Sequence, residues 1–129
     1  MFQARNGYIP MLKKFIFIFG LFAPLTTSAT ELLMVTEDGC VWCERWDDDI
    51  GDIYAKTKEG KFAPLHRIDI HKVQDDKRFR PSIVFTPTFI ILEDGAEVAR
   101  IEGYPGEDFF WQLLNQALLK HSKYKETEK

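Results

Sequence analysis

The chain has 129 residues, a mass of 15.1 kDa and a net charge of −3, which is room for one domain. Hydrophobic residues make up 45% of it and charged residues 29%, so disordered and fibrous classes are excluded. The acidic balance argues against nucleic acid as a partner, because phosphate binding requires a basic surface. Only two cysteines occur, Cys40 and Cys43, which excludes a scaffold stapled by several disulfides.

Residues 1–29 have the pattern of a secretory signal peptide. They contain no acidic residue, and Lys13-Lys14 is followed by an apolar run (residues 15–23) and then by small residues that end at Ala29. We therefore predict an exported, periplasmic protein that is cut before Thr30, with an uncleaved membrane anchor as the alternative. The apolar run is shorter than the roughly 20 residues of a transmembrane helix. Cleavage leaves an acidic domain of about 100 residues, near the small end of what folds alone.

A strand, a turn and a helix are predicted after the leader. Residues 32–35 are a short apolar run, typical of a buried strand, and residues 37–39 form a turn. The apolar spacing then becomes helical, with acidic side chains on the opposite face. The apolar face consists of Cys43, Trp46, Ile50 and Ile53. The acidic run at residues 47–49 is interpreted as a solvated helix face.

Three further strands and a closing helix follow. Residues 66–70, 88–92 and 97–101 have strand patterns, and Asp94-Gly95 gives a tight hairpin turn between the last two. Residues 72–80 are charged and form a short helix or a loop. Residues 103–106 break the chain, and residues 104–106 either border the site or only belong to this break. The last helix has a predicted apolar stripe of Phe110, Leu113, Leu114, Ala117 and Leu118. We expect residues 122–129 to be a frayed polar tail.

This order of elements predicts one α/β domain over residues 30–121. The first two strands are joined by a helix and should be parallel. The last two should form an antiparallel hairpin. A mixed four-stranded sheet flanked by helices satisfies both constraints.

The sequence Cys40-Val41-Trp42-Cys43 lies at the predicted strand-to-helix junction and indicates thiol–disulfide exchange. Cys40 falls at the helix N-terminus, where unpaired N–H groups and the helix dipole favour a thiolate. Cys43 lies one turn further on the same face, so it can attack a mixed disulfide formed at Cys40. Trp42 either contacts a partner protein or packs on the helix.

Other interpretations of the cysteine pair stay open. The pair could be a purely structural disulfide, but a disulfide across so short a loop removes little entropy from the denatured state and so stabilises the fold little. A zinc site needs two more ligands, and His66, His71 and His121 are scattered. The rival functional class is a module that binds Cu(I) through both thiolates, although no Met or His ligand cluster lies nearby. We expect no cofactor, since Glu44 stands where covalent haem attachment requires His.

Pro87 is the second feature that bears on chemistry. It stands at the entrance of a predicted central strand, although proline cannot donate to the ladder. One explanation is a cis peptide bond that brings Thr86 beside the cysteine pair, and the other is an ordinary proline at the first strand residue. Together with the cysteine motif, this proline predicts the cis form.

These features resemble the thioredoxin family over residues 31–120. The resemblance rests on the strand before the cysteine motif, the Thr86-Pro87-Thr88 element, the Asp94-Gly95 hairpin and the closing helix. It implies a minimal thioredoxin fold that lacks most of the N-terminal strand–helix extension. It also implies that Cys40 is the nucleophile, Cys43 the resolving thiol and Pro87 the cis-proline, and that the Thr86 backbone binds the substrate chain.

The sequence departs from the family at two positions near the cysteines. Val41-Trp42 replaces the family's Gly-Pro dipeptide, and Met34 stands where the family has a buried acid, six residues before the first cysteine. The family's proton relay to the resolving thiol is therefore absent, or Glu37 or Glu44 serves it.

A narrower resemblance is to the SoxS-type periplasmic thioredoxins of bacterial sulfur-oxidation clusters. It rests on Trp42, Trp46 and residues 54–57, 85–88 and 100–111. It implies that the dithiol reduces a disulfide or persulfide on a partner protein, a sulfur-carrier protein. A membrane electron donor would then reduce the pair again, because the periplasm is oxidising.

Overall fold

The computed structural model describes residues 29–126, and its centre is a mixed four-stranded sheet. The strands are β1 (Thr30–Thr36), β2 (Leu65–Asp69), β3 (Thr88–Glu93) and β4 (Ala96–Glu102), in the order β2-β1-β3-β4. Strands β1 and β2 are parallel, whereas β3 is antiparallel to both β1 and β4. The predicted sheet is confirmed, and so is its hairpin, where Asp94 and Gly95 both have positive φ angles (51° and 80°).

The leader predicted at residues 1–29 lies outside the described residues except for Ala29. Within the described range, none of the helices is long and apolar enough to cross a bilayer.

The helix after β1 contains a π-helical segment that changes which residues are buried. It begins as α1 (Val41–Trp46), continues as the π segment Asp47–Gly51 and ends as α2 (Asp52–Tyr54). A π turn holds more residues than an α turn, so it shifts the buried stripe along the sequence. Tyr54 is therefore buried, and Ile53, which the α-helical spacing placed on the apolar face, is exposed.

Three other helices complete the described chain: α3 (Lys58–Phe62), α4 (Ile70–Val73) and α5 (Glu107–His121). Helix α3 was not predicted. It begins at the Thr57 hydroxyl, which accepts the Gly60 N–H at 3.0 Å. A Cβ at Gly60 would lie 1.9 Å from the Tyr54 carbonyl oxygen, so this close approach requires glycine.

Apolar side chains cover both faces of the sheet. Along β3, Phe89 and Ile91 belong to one buried cluster while Ile90 and Leu92 belong to the other, as the alternation of a strand requires. On the first face, the Trp46 ring lies 5.5 Å from that of Phe89 and 5.8 Å from that of Phe110. The interpretation of Trp46 as a core residue is confirmed.

The buried stripe of α5 is narrower than predicted. Phe110, Leu114 and Leu118 are fully buried, whereas Leu113 is 40% exposed. Residues four apart form one edge of a helix, and Leu113 lies about 100° away from Leu114 on a side that the sheet does not cover. Trp111 stacks on the Tyr54 ring at 6.0 Å instead.

Tyr124 docks the first part of the tail, which the sequence predicted to be frayed. It is 7% exposed, its ring packs edge-on against Phe62 at 5.1 Å, and its hydroxyl donates to Glu59 Oε1 at 3.0 Å. Its backbone N–H donates to the Ser122 hydroxyl. This aromatic side chain therefore holds residues 122–126 on the domain, together with hydrogen bonds from Ser122 to the Leu118 carbonyl oxygen and from Asn115 to Glu126.

Substitution Tyr124→Phe should lower the free energy of unfolding by about 1 kcal/mol at pH 7, because the hydrogen bond to Glu59 is lost. Burial and the hydrogen bond to Glu59 raise the pKa of Tyr124 from 10.0 to about 12. The stability linked to this proton is present below pH 10 and is lost as the pH rises towards 12. The variant should therefore lose stability less steeply than wild type over this range. Urea denaturation at pH 7, 10 and 11 measures both effects, and parallel pH profiles would contradict this docking.

Candidate active site

Cys40 and Cys43 form a disulfide at the start of α1, with their Cα atoms 5.2 Å apart. Cys40 is the N-cap residue, and its Sγ accepts the Cys43 backbone N–H at 3.2 Å. Its carbonyl oxygen also accepts the N–H groups of Cys43 and Glu44, both at 3.1 Å. Sulfur thus takes the place of a capping oxygen, so an N–H group already points at the atom that carries charge in a thiolate.

The core encloses the inner side of the pair. Cys40 is 9% exposed and Cys43 is 6% exposed, so in the disulfide form the two residues differ in accessibility less than the sequence predicted. Both belong to the apolar cluster that contains Met34, which is fully buried at the family's acid position. Glu37 and Glu44 are both exposed, so neither is a buried relay to Cys43.

The Thr86–Pro87 bond is cis, as the sequence predicted. The Pro87 carbonyl oxygen accepts the Gly103 N–H at 2.7 Å, and the Thr88 hydroxyl donates to the Phe85 carbonyl oxygen at 2.6 Å. The Thr86 hydroxyl donates to Glu37 Oε1 at 2.8 Å, which joins this loop to the loop before Cys40. A second cis bond, Arg80–Pro81, was not predicted, because nothing in the local sequence singles out that proline.

A cavity of about 580 Å³ lies beside the cysteine helix. Its lining consists of Trp42, Arg45, Asp49, Tyr104, Pro105, Gly106 and Glu107. The Trp42 side chain is 60% exposed, so it faces solvent and is not packed away on the helix. The break at residues 103–106 therefore also borders the site.

Tyr104 and Asp49 line this cavity and are joined by a hydrogen bond that no local sequence pattern indicates. The Tyr104 hydroxyl donates to Asp49 Oδ2 at 2.9 Å, and Arg45 Nε reaches the same oxygen at 3.3 Å. Burial and the hydrogen bond to Asp49 raise the pKa of Tyr104. Tyr104 is therefore a protonated donor throughout the physiological range.

Four exposed apolar side chains flank the site, and we call them the apolar rim: Val41, Trp42, Val84 and Phe85. Two of them lie between the cysteines, and two come directly before Thr86. Exposed apolar groups concentrated at one place are typical of a protein-binding surface. Sequence reasoning missed Val84, because its exposure does not follow from any periodic pattern.

Metal ligands are sparse around the pair. Among residues 29–126, no three His, Cys, Asp or Glu side chains are grouped so as to hold a metal ion. A Cu(I) site at the pair would therefore have no third ligand of these four residue types within residues 29–126.

Comparison with known proteins agrees with this geometry. The profile of the Thioredoxin-like domain family matches residues 26–118. The chain belongs to this family. A curated thioredoxin from Chlamydia pneumoniae is 32% identical over 62 residues, which are 45% of this chain and 61% of that protein. The chain thus spans about three fifths of the length of this curated relative.

Solved structures show the same relationship. The periplasmic thioredoxin SoxS from Paracoccus pantotrophus, in its reduced form, is 38% identical, with a TM-score of 0.65 over 70% of this chain and 97% of that one. The thioredoxin of Fasciola hepatica is 19% identical, with a TM-score of 0.52 over 68% and 80% of the two chains, which shows the fold alone. The family, the fold and the Cys40–Cys43 pair together make this chain a thioredoxin-like thiol–disulfide oxidoreductase.

In the reduced protein, Cys40 should react with iodoacetamide several-fold faster than Cys43. The helix N-terminus favours a thiolate at Cys40, whereas Cys43 faces apolar side chains. Mass spectrometry after brief alkylation measures the two rates, and the same reaction in urea is the control, where the rates should converge. Faster labelling of Cys43 in the folded protein would reverse the assignment of roles.

Proposed function

We propose that the protein reduces a disulfide or persulfide on a partner protein in the periplasm. The observation that carries the proposal is the Cys40–Cys43 disulfide, which caps a helix and is joined through Glu37 to the Thr86–Pro87 loop. Cys40 is the nucleophile and Cys43 the resolving thiol. Thr86, Pro87 and Trp42 form the substrate-binding part of the site.

The exchange proceeds in two steps. The Cys40 thiolate attacks a sulfur of the partner's disulfide, which releases one partner thiolate and leaves a mixed disulfide. With a persulfide, attack at the inner sulfur releases hydrosulfide and gives the same intermediate. The Cys43 thiolate then attacks Cys40 Sγ, which releases the partner's cysteine and forms the Cys40–Cys43 disulfide. Two electrons pass from the dithiol to the partner. A membrane electron donor then supplies two electrons that reduce the Cys40–Cys43 disulfide again.

The Thr86 backbone provides the docking edge for the partner chain. Within the part of the chain that the structure describes, its N–H and C=O groups make no hydrogen bond. Free backbone groups beside a reactive sulfur favour pairing with an extended segment. The apolar rim then contacts side chains on both sides of the partner's cysteine.

Two similarities support the compartment and the partner. The 38% identical structure is a periplasmic thioredoxin named SoxS, and the start of the chain has the pattern of a signal peptide. Residues 85–88 and 100–111 carry the narrower resemblance to proteins of sulfur-oxidation clusters. A sulfur-carrier protein is therefore the partner to test first.

The Cys43→Ser variant should trap its partner as a mixed disulfide through Cys40, because the resolving attack is lost. The variant is expressed in the native host, and the periplasmic fraction is separated on non-reducing gels, with Cys40→Ser as the control. Equal trapping by Cys40→Ser would contradict the assigned mechanism. Trapped partners that never include the sulfur-carrier protein, in a host that has one, would contradict the proposed substrate.

Substitution Trp42→Ala should raise the KM for a protein disulfide about tenfold and change kcat little, since exposed tryptophans at binding surfaces contribute strongly to affinity. The matched control is Leu119→Ala, which removes an exposed apolar side chain (44%) near the far end of α5. Steady-state reduction of insulin disulfides measures both variants. Equal effects of the two substitutions would show that Trp42 has no special part in docking.

A further inference from the structure

Glu37 is the residue through which the cysteine loop contacts the loop before β3. Its carboxylate accepts the Thr86 hydroxyl at 2.8 Å, across 49 residues of sequence. Its backbone carbonyl oxygen accepts the Cys40 N–H at 3.3 Å. One residue thus contacts both the nucleophile's backbone and the side chain of the docking edge.

The register of the sheet explains why these two residues meet. Strands β1 and β3 are antiparallel, and their last pair is Val35 with Thr88. Extended two residues beyond Val35 and two residues back from Thr88, the same register places Glu37 opposite Thr86. The ladder ends before these residues, but their side chains still face each other across its open end and form the hydrogen bond.

The other hydrogen bonds of this loop are made by its backbone and not by the Thr86 side chain: the Phe85 carbonyl oxygen accepts the Thr88 hydroxyl. Pro87 is tied to Gly103 through its carbonyl oxygen, on the side of β4. The preceding residues Val84 and Phe85 are exposed and pack little. The Thr86 side chain has Glu37 as its hydrogen-bond partner, so loss of this bond would free the docking edge on the side of Cys40.

We propose that Glu37 is a positioning residue, which holds the Thr86 edge in register with Cys40 for the partner chain; this rests on the function proposed above. An exposed carboxylate that already accepts the Thr86 hydroxyl acts through geometry, by keeping the docking edge at a fixed place relative to the sulfur. Its loss should weaken the docking of a protein substrate and leave attack on a small disulfide unchanged.

The test compares two substrates across a double-mutant cycle. Insulin is the protein disulfide, and 5,5′-dithiobis(2-nitrobenzoate) is a small disulfide that needs no docking edge. Glu37→Ala and Thr86→Val should each raise the KM for insulin roughly fivefold, the effect of one hydrogen bond, with kcat within about twofold of wild type. The double variant should be no worse than either single one, because both remove the same bond.

A conservative variant separates geometry from charge. Glu37→Gln keeps a hydrogen-bond acceptor at this position, so its KM for insulin should stay within about twofold of wild type. Asp38→Ala removes the neighbouring exposed carboxylate, and it should have no effect on either substrate. Circular dichroism on each variant checks that the domain is folded.

Four outcomes overturn the inference. Glu37→Ala could leave the KM for insulin unchanged, the two single effects could add, or Glu37→Gln could match Glu37→Ala, which would point to charge. Equal loss on both substrates would place the effect at the thiols. If the wild-type protein reduced the small disulfide but not insulin, the proposed docking function itself would be refuted. If the wild-type protein reduced both substrates and Glu37→Ala behaved like wild type, only the role of Glu37 would be refuted.

Discussion

The start of helix α1 at Cys40 is the constraint on which the site depends. The chain leaves β1, turns at Gly39 with a φ of 74°, and enters the helix with the Cys40 sulfur in the capping position. The helix cannot slide, because Trp46 and Tyr54 fix its inner face in the aromatic core. Core packing therefore decides where the reactive sulfur meets the helix N–H groups.

The same packing sets a different environment for each cysteine. Cys40 receives an N–H hydrogen bond and lies at the positive end of the helix. Cys43 faces an interior where Met34 replaces an acid with an apolar side chain, so charge at its sulfur is poorly solvated. This departure from the family thus changes the environment of the second sulfur and leaves the fold intact.

The sequence predicted what depends on local patterns. Three of its predictions depend only on residues that are close together in sequence: strand alternation, the Asp94-Gly95 turn and the cysteines at a helix start. Each of them is confirmed. The exposure of Ile53 could not be predicted, because hydrophobic spacing assumes an α-helix and the π segment breaks that period. Tyr124 escaped notice because one aromatic residue in a polar segment has no periodicity.

The sequence identified individual residues of the site but not the contacts that join them. The sequence identified Cys40, Cys43 and Pro87, and the family resemblance gave their expected roles. The hydrogen bond from Thr86 to Glu37 and that from Tyr104 to Asp49 join residues 49 and 55 apart. Such contacts follow from strand register and helix placement, which no local window contains.

Strand register also explains why a dithiol and a docking edge from distant segments share one end of the sheet. An antiparallel pair brings the end of one strand beside the start of the other, so the loop after β1 and the loop before β3 must emerge together. The first loop carries the nucleophile and the second carries free backbone groups. A one-residue slip between β1 and β3 would leave both strands paired but would place Glu37 opposite a neighbour of Thr86. The register that buries Met34 and Phe89 on one face therefore also aligns the two halves of the site.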